Sequence, residues 1–242
     1  MVQHANKITP FQRFEPLVNY VAAWGELSKE FYVTEGHDPD HISVTGSPNF
    51  DHLYDLEVEE EQLRSDLDID DDSDVLMLAS QPFSEDVRHT ITKAVCESLE
   101  SMSDVVLLLR PHPREDGTLL RDIAAQYNVE AAYAPHQDIH HLVELADAVT
   151  SINSTVLFEA SLMDTVAIVV DFTDEPIQGF WRQEGFNVVD NATDLPSVVR
   201  RTLRDESYRE SVLSSQPSMG MRYAHNEDGR AAERIADLIT SI

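Results

Sequence analysis

The chain has 242 residues and a formal net charge of −28, with 45 acidic residues against 17 basic ones. So negative a surface repels nucleic acid and anionic lipid surfaces, because phosphate groups bind through cationic side chains. No apolar run approaches the ~18 residues of a transmembrane segment, and the single cysteine, Cys96, excludes an internal disulfide. We therefore expect a cytoplasmic protein, at most peripheral at the inner membrane face, that does not bind nucleic acid.

The acidic charge has two interpretations, an interaction segment or adaptation of the whole surface to salt. Carboxylates are spread along the chain, with one dense run at Asp66–Asp74, and lysine occurs only at positions 7, 29 and 93. This spread favours a halophilic host, since net charge is a lever on solubility in salt.

Short apolar runs rich in Val, Ile and Leu alternate with helical patterns along the middle of the chain. The predicted strands are Ile42–Thr45, Val75–Ala79, Val105–Arg110, a weaker Val129–Ala134, Ala148–Ser151 and Val166–Asp171. The predicted helices are Asp51–Leu56, Ser84–Ser101, Leu119–Tyr127, His140–Leu145, Ser154–Leu162, Leu195–Arg204 and Arg230–Ile239, with a polar loop between the last two. Strands buried on both faces and separated by helices are typical of an α/β, doubly wound parallel sheet.

Ligands of such sheets bind at the carboxyl ends of the strands, where loops lead into helices. The segments that follow the predicted strands are Gly46-Ser47, Ser80-Gln81, Arg110–Pro113, Ser151–Thr155 and Asp171-Phe172. They contain neither a glycine-rich dinucleotide motif nor a Walker loop.

The segment Ser151–Ala160 carries the strongest signal. Asn153, Ser154 or Thr155 would cap the following helix, whose free N–H groups and dipole suit a diphosphate. Glu159 lies about one turn further, on the same side as Thr155, and would reach ribose hydroxyls. The alternative is an ordinary capped helix with a surface glutamate.

The turn Arg110–Pro113 follows a very apolar strand. Its two prolines fix the backbone and delay helix formation. Arg110 and His112 would then face an anionic ligand as a cation and a polar ring. The alternative is a histidine that merely fills the turn.

Three further histidines, His136, His140 and His141, lie near Asp138 and raise the question of a metal site. Adjacent His140 and His141 point to different faces of a helix, and no zinc-binding spacing is present. No metal site is predicted.

Six segments together resemble the C-terminal, nucleotide-binding half of GT-B glycosyltransferases. The resemblance is to the capsule and surface polysaccharide group and to the CDP-glycerol glycerophosphotransferases that build wall teichoic acid. The segments are Gln3-His4, Trp24–Glu26, Val44–Pro48 with Asp51, Ser80, Arg110–Pro113 and Ser154–Ala160. The closing run at residues 228–235 resembles the last helix of these enzymes.

The resemblance implies a Rossmann-like domain that binds a nucleotide-diphosphate sugar or a CDP-alcohol as donor. Ser154 and Thr155 would hold the diphosphate, while Arg110 and His112 offset its charge as the leaving group departs. Glu159 would bind ribose. No cofactor or metal is implied, because the helix dipole and cationic side chains replace it.

Further site residues follow from the same resemblance. His4 matches a histidine that deprotonates the acceptor hydroxyl as a general base. The remaining donor-binding positions are Gly46, Ser80, Ser151 and Asn153.

The chain departs from these enzymes at several positions. Asp164 and Val166 stand at a usual glycine and proline, and Ala5 replaces the glycine of the Q-H-G motif. We expect the chain to lack the N-terminal acceptor-binding domain. Residues 1–40 are interpreted as the crossing from it, residues 41–190 as the nucleotide-binding domain and residues 191–242 as helices on that domain. A partner chain carrying the acceptor domain is therefore expected.

Three functions remain open. The first is a transferase for surface polysaccharide or glycoconjugate synthesis, with a glycan or lipid carrier as acceptor. The second is an isomerase of the UDP-N-acetylglucosamine 2-epimerase type, and the third is a non-catalytic nucleotide-binding subunit. The epimerases usually carry S-G-G before the serine–glutamate helix, and Ile152-Asn153 lack both glycines, which favours the transferase.

Overall fold

The computed structural model describes residues 18–172, 186–224 and 228–241, with the backbone alone at 217–223. The described residues form two compact units. One comprises residues 18–56, 216–224 and 228–241, and the other comprises residues 57–172 and 186–215. Compactness does not show which segments fold independently, so the domain boundaries at residues 40 and 190 stay a prediction.

Eight strands and nine helices occur within the described residues. The strands are β1 (Val21–Ala23), β2 (Ile42–Val44), β3 (Asp74–Ala79), β4 (Val105–Arg110), β5 (Glu130–Tyr133), β6 (Ala148–Ser151), β7 (Val166–Val170) and β8 (Asn187–Val189). The helices are α1 (Glu26–Thr34), α2 (Glu60–Asp66), α3 (Glu85–Leu99), α4 (Thr118–Ala124), α5 (Ile139–Leu145), α6 (Thr155–Leu162), α7 (Leu195–Arg204), α8 (Glu206–Ala224) and α9 (Ala231–Ser241). Two 3-10 helices cover Pro39–His41 and Pro48–Asp55.

The larger unit is built on a six-stranded parallel sheet, which confirms the α/β, Rossmann-like fold. Its strand order is β5-β4-β3-β6-β7-β8. Leu76 of β3 pairs with Leu107 of β4 on one side and with Ala148 of β6 on the other. The chain thus winds outward from β3 in one direction and then from β6 in the other. A ligand crevice is expected at the carboxyl ends of β3 and β6, where the order reverses.

The sheet forms because its central strands are almost continuous runs of Val, Leu, Ile and Met. Every residue of β7 and most of β3 and β4 are buried. Helix α3 places Ile91, Val95 and Leu99 on one face at a spacing of four residues, and all three join the core under the sheet. Burying each such side chain stabilises the fold by about 1.5–3 kcal/mol.

Cys96 lies on the same helix, α3, and is fully buried. Burial raises the pKa of its thiol to about 12, with a smaller contribution from neighbouring Glu97. The thiol is therefore protonated and unreactive at neutral pH.

The smaller unit contains a separate two-stranded parallel sheet. The predicted strand at residues 42–45 is present as β2, but it pairs with β1 rather than joining the main sheet. Tyr32 of α1 packs with both strands in a small core. Trp24 follows β1 and packs edge-to-face against Phe50, with ring centroids 5.4 Å apart. These aromatic contacts fill the space that so short a sheet leaves uncovered.

Asp51 caps helix α9 within this smaller unit. Its carboxylate accepts hydrogen bonds from the N–H groups of Ala231, at 3.0 Å, and Ala232, at 2.8 Å. Gly229 precedes the helix with φ +63, and a Cβ there would lie 3.1 Å from the Asp51 carbonyl oxygen and from Tyr54 Cβ. A side chain at position 229 would be strained both by conformation and by space.

Helix α8 corrects one prediction. The polar loop expected between the last two helices is mostly this helix, which covers 19 residues. Its first half has few apolar residues and no clear helical stripe, so periodicity gave no signal. Strands β1 and β8 were likewise missed, because three residues are too few for a pattern to show. Among the described residues, we find no helix with the length and apolarity needed to cross a bilayer.

The surface charge predicts that the melting temperature depends on salt concentration. Several arginines already lie beside carboxylates, such as Arg204 with Asp74 and Asp104, yet acidic residues far outnumber basic ones. We expect a lower melting temperature at about 0.05 M than at about 2 M KCl, because repulsion between carboxylates is poorly screened in dilute salt. Melting followed by circular dichroism tests this. An unchanged or higher melting temperature in dilute salt contradicts adaptation to salt.

The environment of Asp147 predicts that the stability of the fold depends on pH. Burial raises the pKa of its carboxyl, nearby Asp74 adds to the increase, and the N–H of Val75 and Arg209 oppose it. The folded state thus binds the carboxyl proton of Asp147 more tightly than the unfolded state does. The contribution of Asp147 to the free energy of unfolding therefore falls as pH rises from about 4 through the raised pKa. Asp147→Asn keeps an acceptor for the Val75 N–H, 2.8 Å away. We expect its unfolding free energy to rise relative to wild type across that window in urea titrations. Asp71→Asn is the control for the charge change, and an equal response in both variants contradicts the prediction.

Candidate functional site

The loops at the carboxyl edge of the six-stranded sheet are joined by backbone contacts. Ser80 follows β3, and its N–H donates to the carbonyl of Arg110 at the end of β4, at 2.9 Å. Ser151 ends β6, and its hydroxyl donates to the carbonyl of Ala79 at 2.7 Å. A cleft at this point is lined by Ser80, Ser151 and Arg88 among others. It lies where the strand order reverses, as expected from the topology.

The side chain of Ser151 is fully buried, and its hydroxyl donates its hydrogen bond to the Ala79 carbonyl. Its hydroxyl therefore holds β6 against β3. A contact of Ser151 with a donor, which would have to use its backbone, stays a prediction.

Helix α6 begins at this edge with a serine cap. Ser154 is the N-cap residue, and its hydroxyl accepts from the Val156 N–H at 3.3 Å. This identifies which of the three predicted capping residues acts. Asn153 and Ser154 are half-buried, and Thr155 is exposed at the first turn. Free N–H groups and the helix dipole make this end attractive to an anion.

Glu159 is buried on α6, so the alternative of a surface glutamate is wrong. Only 9% of its surface is exposed, and its Oε2 lies 3.1 Å from Nε2 of His140 on α5. A buried carboxylate is costly unless it has such a partner. His140 therefore gives this buried side chain a polar partner within a mostly apolar helix.

His140 continues the network towards Asp138. Its Nδ1 lies 3.7 Å from Asp138 Oδ1, and the same carboxylate accepts the N–H groups of His140 and His141 as the cap of α5. Burial opposes ionisation of Asp138, but these N–H groups and the two imidazoles hold its pKa below the usual value. The sequence pattern marked these residues only as candidates for a metal site. Within the described ranges, no group of three or more His, Cys, Asp or Glu side chains is arranged to hold a metal ion.

Arg110 is one of the cations at this edge. Its Nη1 donates to the Ala134 carbonyl at 2.8 Å, which ties the end of β4 to the segment after β5. Burial lowers the pKa of Arg110, while Asp138 and Tyr133 act against this. An arginine remains charged at neutral pH despite such a shift. Asp138 thus favours the charged form of Arg110 and, separately, lies 3.7 Å from His140, the partner of Glu159.

His112 is held in the turn after Arg110. Its Nδ1 accepts from the Arg114 N–H at 3.1 Å, and its own backbone N–H donates to Glu115 Oε2 at 2.9 Å. Glu115 also contacts Arg88 of α3, with 3.0 Å between Oε1 and Nη1. Sequence reasoning missed Glu115 and Arg88, because no local pattern connects two residues on different helices and loops.

Gly46 and His4 are the remaining predicted site residues. Gly46 belongs to the smaller unit, where it follows β2 with φ +84. His4 lies outside the described residues. Donor binding by Gly46 and general-base catalysis by His4 stay predictions.

Several solved structures share this fold. The wall teichoic acid polymerase TagF, in a structure with CDPG, gives a TM-score of 0.65 at 17% identity, covering 92% of this chain and 56% of that chain. A putative UDP-N-acetylglucosamine 2-epimerase from Listeria monocytogenes gives 0.69 at 20% identity, covering 93% and 60%. The UDP-GlcNAc 2-epimerase of Neisseria meningitidis bound to UDP-GlcNAc gives 0.71 at 16% identity, covering 93% and 62%.

The chain thus spans between 56% and 62% of the length of these structures. At such low identity the comparison establishes a Rossmann-like domain of the GT-B type and no more. No significant match is found among curated protein sequences. The sequence itself matches the family described as UDP-N-acetylglucosamine 2-epimerase over residues 19–240, which is most of its length. The chain therefore belongs to the UDP-N-acetylglucosamine 2-epimerase family.

Proposed function

We propose that the carboxyl edge of the six-stranded sheet binds a nucleotide-diphosphate sugar. The observation that carries this proposal is that Arg110 at the end of β4 and the capped N-terminus of α6 both lie at this edge, and that α6 also carries the buried Glu159, paired with His140. This edge thus combines a cation, an anion-binding helix end and a buried carboxylate.

The diphosphate would bind at the N-terminus of α6. Ser154 caps this end, and Thr155 adds an exposed hydroxyl in the first turn. Arg110 and His112 would supply a positive charge and a ring N–H to the phosphate oxygens, which stabilises charge on a departing nucleotide diphosphate. No cofactor or metal is required for this step.

The ribose would bind at Glu159. A carboxylate accepts hydrogen bonds from two neighbouring hydroxyls, and His140 keeps this one oriented at 3.1 Å. A carboxylate has about four acceptor positions, so the contact with His140 leaves others for the ribose hydroxyls.

Two reactions fit this site. Membership of the epimerase family and the UDP-GlcNAc-bound relative favour isomerisation of a UDP-sugar at C2. The structure of TagF with CDPG, together with Ile152-Asn153 in place of two glycines, favours group transfer in surface polysaccharide synthesis. A non-catalytic nucleotide-binding role is the third candidate.

A ligand screen by thermal shift in molar KCl tests the binding step. The ligands are UDP, CDP, UDP-N-acetylglucosamine and CDP-glycerol, each with the free nucleoside as control. A ligand at about 100 times its Kd adds about 2.7 kcal/mol to stability. Absence of stabilisation by every diphosphate contradicts the proposal. Formation of the C2 epimer from UDP-N-acetylglucosamine, or consumption of CDP-glycerol with an acceptor, distinguishes the two reactions.

Replacing Ser154 and Thr155 together by alanine tests the anion site. We expect nucleotide-diphosphate binding to weaken by about 1–3 kcal/mol, because the helix loses its cap and two hydroxyls. Isothermal calorimetry measures the change. Thr240→Ala with Ser241→Ala removes an adjacent hydroxyl pair from the last turn of α9 as a matched control. Wild-type affinity in the Ser154/Thr155 variant places the diphosphate elsewhere.

A further inference from the structure

The turn that carries His112 is held by a buried acid–base pair. Glu115 accepts the backbone N–H of His112 at 2.9 Å through one oxygen and contacts Arg88 at 3.0 Å through the other. The Glu115 side chain is 3% exposed and that of Arg88 is 21% exposed. A carboxylate buried this deeply requires its cationic partner, so the two side chains are fixed together.

The geometry of this pair leaves part of Arg88 available. The contact with Glu115 is an ion pair that is not aligned as a hydrogen bond, and Arg88 Nε is buried without a hydrogen-bond partner in the described part of the chain. Arg88 also lines two clefts, one with Ser80 and Ser151 and the other with Arg114. The pair therefore forms part of the wall of the carboxyl edge.

The same turn fixes the protonation pattern of the His112 ring. A backbone N–H can only donate, so the bond from Arg114 to Nδ1, at 3.1 Å, makes Nδ1 an acceptor. In the neutral ring the proton then lies on Nε2. Nε2–H is a hydrogen-bond donor, which is the form that a phosphate oxygen requires.

We infer that Arg88 and Glu115 are a positioning pair for His112. They hold the backbone of the turn so that Arg114 engages Nδ1 and Nε2–H is presented to the donor phosphate. The role of the phosphate rests on the proposed function. The effect of the pair on the ring does not, because it concerns the protein without ligand.

The first arm of the test is NMR of ligand-free protein with 15N-labelled histidine at about pH 8, where an ordinary imidazole is neutral. His112→Ala assigns the signal. We expect wild-type His112 to be wholly in the Nε2–H form, and Glu115→Ala to show a mixture of both tautomers. A wild-type ring protonated on Nδ1, or a spectrum unchanged by Glu115→Ala, overturns the inference.

The second arm is a double-mutant cycle read by UDP and CDP affinity. Glu115→Ala is expected to weaken binding about tenfold, the loss expected from one misplaced hydrogen bond to a charged group. In the His112→Ala background the same change should have less than about a twofold effect, because the pair acts through His112. Equal effects in both backgrounds overturn the inference.

Two further variants separate positioning from folding. Glu115→Gln keeps an acceptor for the His112 N–H, so it should retain the wild-type tautomer. Where Glu115→Ala does not fold, Arg88→Ala carries the test and should show the same mixture of tautomers, and an unchanged spectrum in it overturns the inference. Arg88→Lys restores a cation and should recover affinity lost in Arg88→Ala. Glu97→Ala removes an exposed carboxylate from the same helix as Arg88 and should change neither readout. If wild-type protein binds no nucleotide, the proposed function fails, while the NMR arm still decides the role of the pair.

Discussion

Arg110→Ala is expected to weaken binding of UDP or CDP by about 2–4 kcal/mol, roughly 30- to 1000-fold. Arg110 is partly buried at the end of β4, where desolvation strengthens its interaction with an anion. Its guanidinium is fixed by the Ala134 carbonyl and is therefore oriented before the ligand arrives. A preoriented cation loses little side-chain entropy on binding.

The control and the ligands make this result specific. Arg121→Ala causes the same charge change on α4, where Arg121 lies over the ring of Tyr133 at 5.2 Å, and should leave affinity within about twofold. Arg110→Lys should recover only part of the loss, because ammonium lacks the planar fork of guanidinium. Free uridine or cytidine should bind Arg110→Ala and wild type equally. Equal losses in Arg110→Ala and Arg121→Ala contradict a local phosphate contact.

Leu107→Ala should have the largest effect on stability. Leu107 is fully buried at the centre of β4, with Leu76 of β3 on one side and Ala131 of β5 on the other. Removing its side chain loses transfer free energy and leaves a cavity in a sheet that cannot collapse around it. We expect the free energy of unfolding to decrease by about 2–5 kcal/mol.

Urea titration in molar KCl measures this loss. Ile239→Ala is the control, since Ile239 is 66% exposed on α9 and should change stability by about 0.5 kcal/mol or less. A loss below about 1 kcal/mol for Leu107→Ala would mean that the centre of the sheet repacks, contrary to its dense burial.

The central strands could be predicted from the sequence because strands buried on both faces are runs of apolar residues. Most helices could be predicted as well. The runs at residues 75–79, 105–110 and 148–151 appear as β3, β4 and β6. The capped helix after Ser151 was likewise predictable, since capping depends on residues adjacent in sequence. Short strands such as β1 and β8 gave no comparable signal.

The pairing of β2 shows the limit of local pattern. Its sequence resembles the other strands, yet it hydrogen-bonds to β1 and not to the main sheet. A strand's partner depends on contacts that are distant along the chain, which composition does not encode. Helix α8 could likewise not be predicted from its sequence, because its apolar residues are sparse.

The sequence by itself determined the parallel sheet, the edge at which a ligand would bind, and candidate residues there such as Arg110, His112 and Ser154. Only the tertiary structure decided that Glu159 is buried against His140, 19 residues away, and that Glu115 joins His112 to Arg88. The physical reason is that each side chain's type follows from the sequence, whereas the partner of a buried charge is set by which elements pack together.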